Sequence, residues 1–181
     1  MRFALVLLTT CVLLGCSTPD QFIASPKIVA QDRTASGFAS IEVTEISLPA
    51  YAAREEIAAT QDGVLVLSDT LWADDPTRSM TLSLARHLSE LTGARVASEP
   101  WPFEGFAQAR VEVRVEDLIV DGPALRLSGQ YFVVDLDGLG RDHAHQFDLS
   151  TPLADTSAPA VARARAQALL ALATEIAKDG L

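Results

Sequence analysis

The chain has 181 residues, 49% apolar and 21% charged, which suffices for one packed domain and argues against disorder. Fourteen Lys and Arg against 24 Asp and Glu give a net charge of −10. That balance excludes a nucleic-acid binder, because phosphate recognition needs a basic face. It also repels an anionic bilayer surface unless a covalent anchor holds the chain there.

The N-terminus supplies such an anchor. Met1-Arg2 is a short positive region, and Phe3 to Leu14 form an apolar run broken only by Thr9 and Thr10. The run is too short to cross a hydrocarbon core, which takes about 20 helical residues, but it suits a secretory signal. Leu13-Leu14-Gly15-Cys16 then resembles a bacterial lipobox, with Leu14 where Ala or Ser is commoner. Residues 1–15 are therefore expected to be a signal peptide and Cys16 the site of lipid attachment. Cys11 lies inside the signal, so Cys16 is the only cysteine expected in the mature chain, which leaves no internal disulfide or cysteine metal site. At about 0.8 kcal/mol per buried methylene, several acyl chains (palmitate among them) make attachment effectively permanent. Ser17 rather than Asp after the cysteine points to the outer membrane, with the domain facing the periplasm. Loss of the signal removes one Arg and no acid, taking the charge to −11.

Residues 16–38 read as the lipidated cysteine, a tether and one edge strand drawn from the Gln21–Ala24 and Lys27–Ala30 patches. About ten extended residues reach roughly 30 Å, enough to clear the headgroups. The domain proper is expected over 39–181. Ile41 and Val43 alternate with polar residues, and Ile46 and Leu48 continue in the opposite phase, so a bulge is expected near Thr44-Glu45. Val64–Leu67, four apolar residues after Asp62-Gly63, reads as a strand buried on both faces. Asp75 and Pro76 open a helix on which Met80, Leu84, Leu88 and Leu91 recur at helical spacing until Gly93 ends it. Pro100-Trp101-Pro102 is loop. Ala109–Glu116 alternates cleanly, Val111, Val113 and Val115 against Arg110, Glu112, Arg114 and Glu116, as a half-solvated strand does. Turns at Asp121-Gly122-Pro123 and Asp137–Asp142 divide this strand from two more, Leu125–Leu136 and His143–Leu149. A final helix from about Pro159 to Ala177 carries Val161, Ala164, Ala168, Leu172 and Ile176 on one stripe. Two helices against a mixed sheet with an antiparallel meander define a single-domain α/β (α+β) fold.

No phosphate-binding loop, dinucleotide fingerprint, zinc-protease helix or nucleophile elbow occurs in the sequence. His143 and His145 share a strand face and offer two imidazoles to a metal, with Asp142, Asp148 or His87 as a third ligand. A polar strand beside a turn explains them more simply. Asp135, Asp137 and Asp142 are spaced like calcium ligands around Gly138 and Gly140, but the closing acid of an EF-hand is missing and Asp-Gly is a hairpin signal. Glu55-Glu56 and Asp74-Asp75 are read as solvated or capping acids. No catalytic residue, metal or cofactor is expected. The unusual feature is a pair of loops rich in interface-type residues, Leu48–Ile57 with Tyr51 and Arg54, and Leu71–Pro76 with Trp72. Plugging the end of the core is the other role open to Tyr51 and Trp72.

These residues carry a resemblance. The lipobox, Leu48-Pro49-x-Tyr51-x-x-Arg54 with Ile57, Trp72-Ala73 before a helix and Pro100-Trp101 after the next strand are similar to the ABC-type transport auxiliary lipoprotein family (PqiC-like), over roughly residues 20–178. That family often has Leu where this chain has Ala52. The resemblance implies a non-enzymatic lipoprotein of the outer membrane, the docking platform for an MCE-domain protein that spans the periplasm from an inner-membrane transporter and moves lipids between membranes. A ring of copies is one arrangement it allows. Tyr51, Arg54 and Trp72 become candidate partner-binding residues. Two other readings remain open: a lipoprotein that itself carries a lipid or small ligand between sheet and helix, and a metal hydrolase built on His143 and His145.

Overall fold

The computed structural model describes residues 21–23, 33–138, 140 and 142–181. The expected signal peptide, Cys16 and the Lys27–Ala30 patch lie outside the described residues. The fold is α+β, a single domain in which two helices pack on an eight-stranded mixed sheet. The strands are β1 (Gln21–Phe22), β2 (Ser40–Val43), β3 (Glu56–Gln61), β4 (Val64–Trp72), β5 (Arg95–Ser98), β6 (Ala109–Asp121), β7 (Ala124–Asp135) and β8 (His143–Pro152). The helices are α1 (Pro76–Thr92) and α2 (Ala158–Asp179).

The long β6 organises the sheet. On one edge it takes two parallel partners in succession, β2 beside its start (Ile41 opposite Ala109) and β3 beside its end (Thr60 opposite Asp121). β5 lies outside β2, and β4 and then β1 lie outside β3. On the other edge β7 and β8 complete the antiparallel meander. The valines at 111, 113 and 115 are buried and the charged residues between them face outward or sit half-buried, as the alternation requires. Pairing shifts between Val115 and Asp117, so Leu118 and Val120 then take over the core face. Gly129 opposes this bulge with φ 155°, where a Cβ would stand 2.1 Å from the Arg114 carbonyl oxygen. No larger residue fits there without moving backbone.

The bulge expected near Thr44-Glu45 is present. From Val43, opposite Val111, to the bridge between Ser47 and Arg114, one chain advances four residues and the other three. The extra residue turns Ile46 into the core, and its N–H donates to the Thr81 hydroxyl of α1 at 3.0 Å. Helix α1 starts where Asp75 accepts from the Arg78 N–H at 2.7 Å and ends at left-handed Gly93. Its Met80, Leu84, Leu88 and Leu91 join Val161, Ala164, Ala168, Leu172 and Ile176 of α2 in one core with the inner sheet face. The outer face carries ion pairs instead: Glu42 with Arg110, Glu112 with Arg114, and Arg126 with Asp148.

One expectation fails. Val64–Leu67 is not buried on both faces: Val64, Leu65, Val66 and Leu67 are 63, 46, 40 and 36% exposed. Asp62 and Gly63, both at positive φ, form a tight turn that folds β4 back on β3 as a hairpin. Its tip projects past the end of β6, beyond the reach of either helix. A short apolar run looks the same in sequence whether the sheet covers it or ends beside it.

Candidate functional site

Trp72 ends β4 and ties together the two loops singled out in the sequence. Its backbone N–H donates to the Glu55 carbonyl at 2.7 Å, and on the other side Phe22 of β1 lies opposite it. The indole is only 6% exposed, so Trp72 occupies the core and presents little surface to a partner. Arg165 of α2 stacks on it, with the guanidinium carbon 3.8 Å from the ring centroid. Cation–π contacts are strongest when desolvated, roughly 2 kcal/mol or more, and Arg165 is 4% exposed. Burial pulls its guanidinium down to about 10, opposed by the Asp74 carboxylate, so it remains charged at neutral pH. Nη2 donates to the Ser79 hydroxyl at 3.4 Å, and Nη1 has no partner among the described residues.

The first loop turns at Pro49, whose carbonyl accepts from the N–H groups of Ala52 and Ala53. That turn half-buries Tyr51 and aims its hydroxyl at Asp117 Oδ1, 3.2 Å away at the β6 bulge. Burial raises the phenol above its ordinary pKa. Arg54 stands in solvent and donates to both oxygens of Glu56, holding that carboxyl below its usual range. A solvated pair of this kind exchanges partners at little cost. Ala52 is buried beside a cavity of about 10 Å³ bordered by Ile57, Trp72, Leu118, Leu125 and Val161.

On the far side of Trp72, β1 and α1 bound an open groove of about 430 Å³. Phe22, Ile23 and Leu82 give it apolar wall, and Arg78, Arg86 and Arg165 give it positive charge, with Asp74 paired to Arg78. A second space of about 10 Å³ lies between the helices against Ser83, Arg165 and His87. His87 is 1% exposed, and burial, helped by the Arg86 charge, pushes its imidazole down to about 4.

The remaining titratable motifs are not drawn together. His143 and His145 stack at 6.0 Å, and His145 also stacks on Tyr131 at 5.1 Å, while His87 sits in the helix layer. Among the described residues no group of three or more His, Cys, Asp or Glu side chains is placed to hold a metal. Asp135 accepts from the N–H groups of Asp137 and Gly138 and donates its own N–H to Asp142, which closes the β7–β8 turn. Asp74 pairs with Arg78, and Asp75 caps α1.

Two features escaped the sequence reading: Arg165 and the exposed hairpin. Arg165 follows Val161 by four residues and precedes Leu169 by four, so helical spacing alone places it on the buried stripe.

Fold and site together define a two-layer α+β domain in which a surface groove and a loop share one buried aromatic support. The chain belongs to the family described as the ABC-type transport auxiliary lipoprotein component, whose model matches residues 23–177. The fold is similar to the crystal structure of an uncharacterized protein (TM-score 0.72, 18% identity, 89% of this chain and 97% of that one). It is similar also to protein XCC0632 from Xanthomonas campestris (TM-score 0.71, 19% identity, 87% and 91%). A PelC dodecamer from Paraburkholderia phytofirmans shares the architecture more distantly (TM-score 0.50, 11% identity, 82% and 95%). No curated protein matches the chain.

Proposed function

We propose that this protein is a non-catalytic docking subunit of an intermembrane lipid transport system, anchored through Cys16 to the outer membrane and facing the periplasm. Residues 1–15 act as the signal, 16–38 as lipidated tether and edge strand, and 39–181 as the docking domain. Its partner is an MCE-domain protein that spans the periplasm from an inner-membrane transporter, and copies of the lipoprotein assemble in a ring around that bridge. The dodecamer of the PelC neighbour supports the last point only by likeness of fold.

The observation that carries the docking role is a local inversion of charge. On a chain of net charge −10, Arg78, Arg86 and Arg165 line one groove beside Phe22, Ile23 and Leu82. Such a wall suits an acidic segment with apolar side chains. Tyr51 and Arg54 extend the docking surface, and Trp72 acts from beneath it by holding Arg165 and the loop in place. The carrier reading draws less support, because the spaces beside Ala52 and between the helices are about 10 Å³ each, room for a water and not for an acyl chain, and the groove of about 430 Å³ is open to solvent.

Charge reversal tests the reading: Arg54→Glu with Arg86→Glu, in the lipidated protein. Recovery of the MCE-domain partner from membranes should fall about tenfold or more, the consequence of losing roughly 1.4 kcal/mol. Undiminished recovery would remove this surface from the account, and lipid recovered in place of a partner would favour the carrier.

A further inference from the structure

The β3–β4 hairpin offers apolar side chains on both faces. Residues alternate sides along a strand, so Val64 and Val66 point one way and Leu65 and Leu67 the other, and all four are exposed. Among the described residues β4 is paired on its outer edge only at Leu71 and Trp72, where β1 runs parallel to it. A protein partner usually covers one face of a ribbon, whereas a medium that surrounds the ribbon rewards apolarity on both.

Chain direction says which medium. Because β1 is parallel to β4, with Gln21 opposite Leu71, the N-terminal end of β1 faces the side of the hairpin tip. Cys16 precedes Gln21 by five residues, a reach of at most about 17 Å. Leu71 to Val64 is seven residues of strand, about 23 Å. A tether of that length lets the acylated cysteine reach the apolar run.

We infer that the tip of the β3–β4 hairpin, Val64–Leu67, is a second membrane contact that enters the bilayer interface beside the acyl anchor and fixes the orientation of the domain. The inference rests on the anchoring of Cys16 proposed above. Depth is limited by chemistry. Asp62 at the turn and Asp69 behind the apolar run resist the hydrocarbon, and the edge of β4 that has no strand partner among the described residues needs hydrogen bonds that headgroups and interfacial water provide. The hairpin therefore lies in the interface and does not cross. With the hairpin down, the arginine-lined groove at the Trp72 end of β4 stands clear of the lipid.

The test uses the lipidated mature protein carrying Leu65→Cys labelled with an environment-sensitive fluorophore, in vesicles of phosphatidylethanolamine and phosphatidylcholine. Glu112→Cys on the outer sheet face, eight residues along β6 from Val120, is the control. The expected result is a blue shift and loss of most Leu65 emission with spin-labelled lipid, protection from aqueous iodide, and neither effect at position 112. Leu65→Cys with Val64→Asp and Leu67→Asp should lose the protection, and because these side chains are exposed the variant should keep its fold. A Leu65 label open to iodide in an acylated protein would overturn the inference and leave the anchor standing. A label protected from iodide yet indifferent to spin-labelled lipid, with Leu65 crosslinking between protomers, would assign the hairpin to a second copy and overturn it as well. A mass spectrum with unacylated Cys16 would overturn the anchor and this inference together.

Discussion

Replacing Trp72 with Ala should cost stability first and partner binding only as a consequence. The indole is nearly closed to solvent and packs beside Ala52, Ile57, Leu118, Leu125 and Val161. Truncating a buried aromatic costs about 3–5 kcal/mol, a large share of the roughly 5–15 kcal/mol that holds a domain folded. For a chain of this size the midpoint of thermal unfolding should fall by roughly 6–20 °C. The guanidinium of Arg165 would also lose its stacking surface while remaining buried, so the two sites should be coupled. In a double-mutant cycle with Arg165→Met, which keeps the volume and removes the charge, the coupling should be about 0.5–3 kcal/mol. Urea unfolding of the Cys16→Ser chain, followed by circular dichroism, measures all four corners. A cost below about 1 kcal/mol for Trp72→Ala, with partner binding lost, would refute the core assignment and return Trp72 to the interface.

Gly129→Ala should destabilise by at least about 1–3 kcal/mol, since its Cβ would meet the Arg114 carbonyl at 2.1 Å; an unchanged urea midpoint would contradict the bulge. Ala52→Leu should cost about 1–3 kcal/mol, because a cavity of about 10 Å³ holds one water and the substitution adds three carbons. A stabilised variant would show that the loop yields to the family's commoner residue. His87, pushed down to about 4 in the folded protein against about 6.5 unfolded, leaves the unfolded chain binding more protons between those values. Stability should therefore be full above pH 6.5 and fall by roughly 3 kcal/mol as pH drops toward 4. His87→Gln should flatten that slope in urea titrations, and an unchanged slope would place the lost proton linkage elsewhere. Tyr51→Phe removes the hydroxyl that hydrogen-bonds Asp117 and the Leu118 backbone, and should cost about 0.5–1.5 kcal/mol by the same unfolding measurement.

Where periodicity and capping chemistry act alone, the sequence was sufficient. Asp75, Pro76 and Gly93 bounded α1, and the valines of β6 declared their face, because both signals are local. The phase change after Val43 gave the first bulge for the same reason. The second was harder to read: its cause is Gly129, which sits opposite it on another strand. Val64–Leu67 was misread because burial depends on what lies beside a strand, and the turn at Asp62-Gly63 places this one at the rim. Trp72 had two readings from composition alone, and its partner Arg165 lies 93 positions away in sequence. The groove belongs to no single segment, since β1, α1 and α2 each contribute to it.

The central claim, an anchored subunit that docks a transport bridge, is tested most directly by crosslinking in native membranes, recovery of the tagged lipoprotein and mass spectrometry of what accompanies it. Cys16→Ser serves as the control. The account predicts an MCE-domain protein in the recovered material, lost when the anchor is lost. Recovery of the acylated lipoprotein with bound lipid and no protein partner would contradict it.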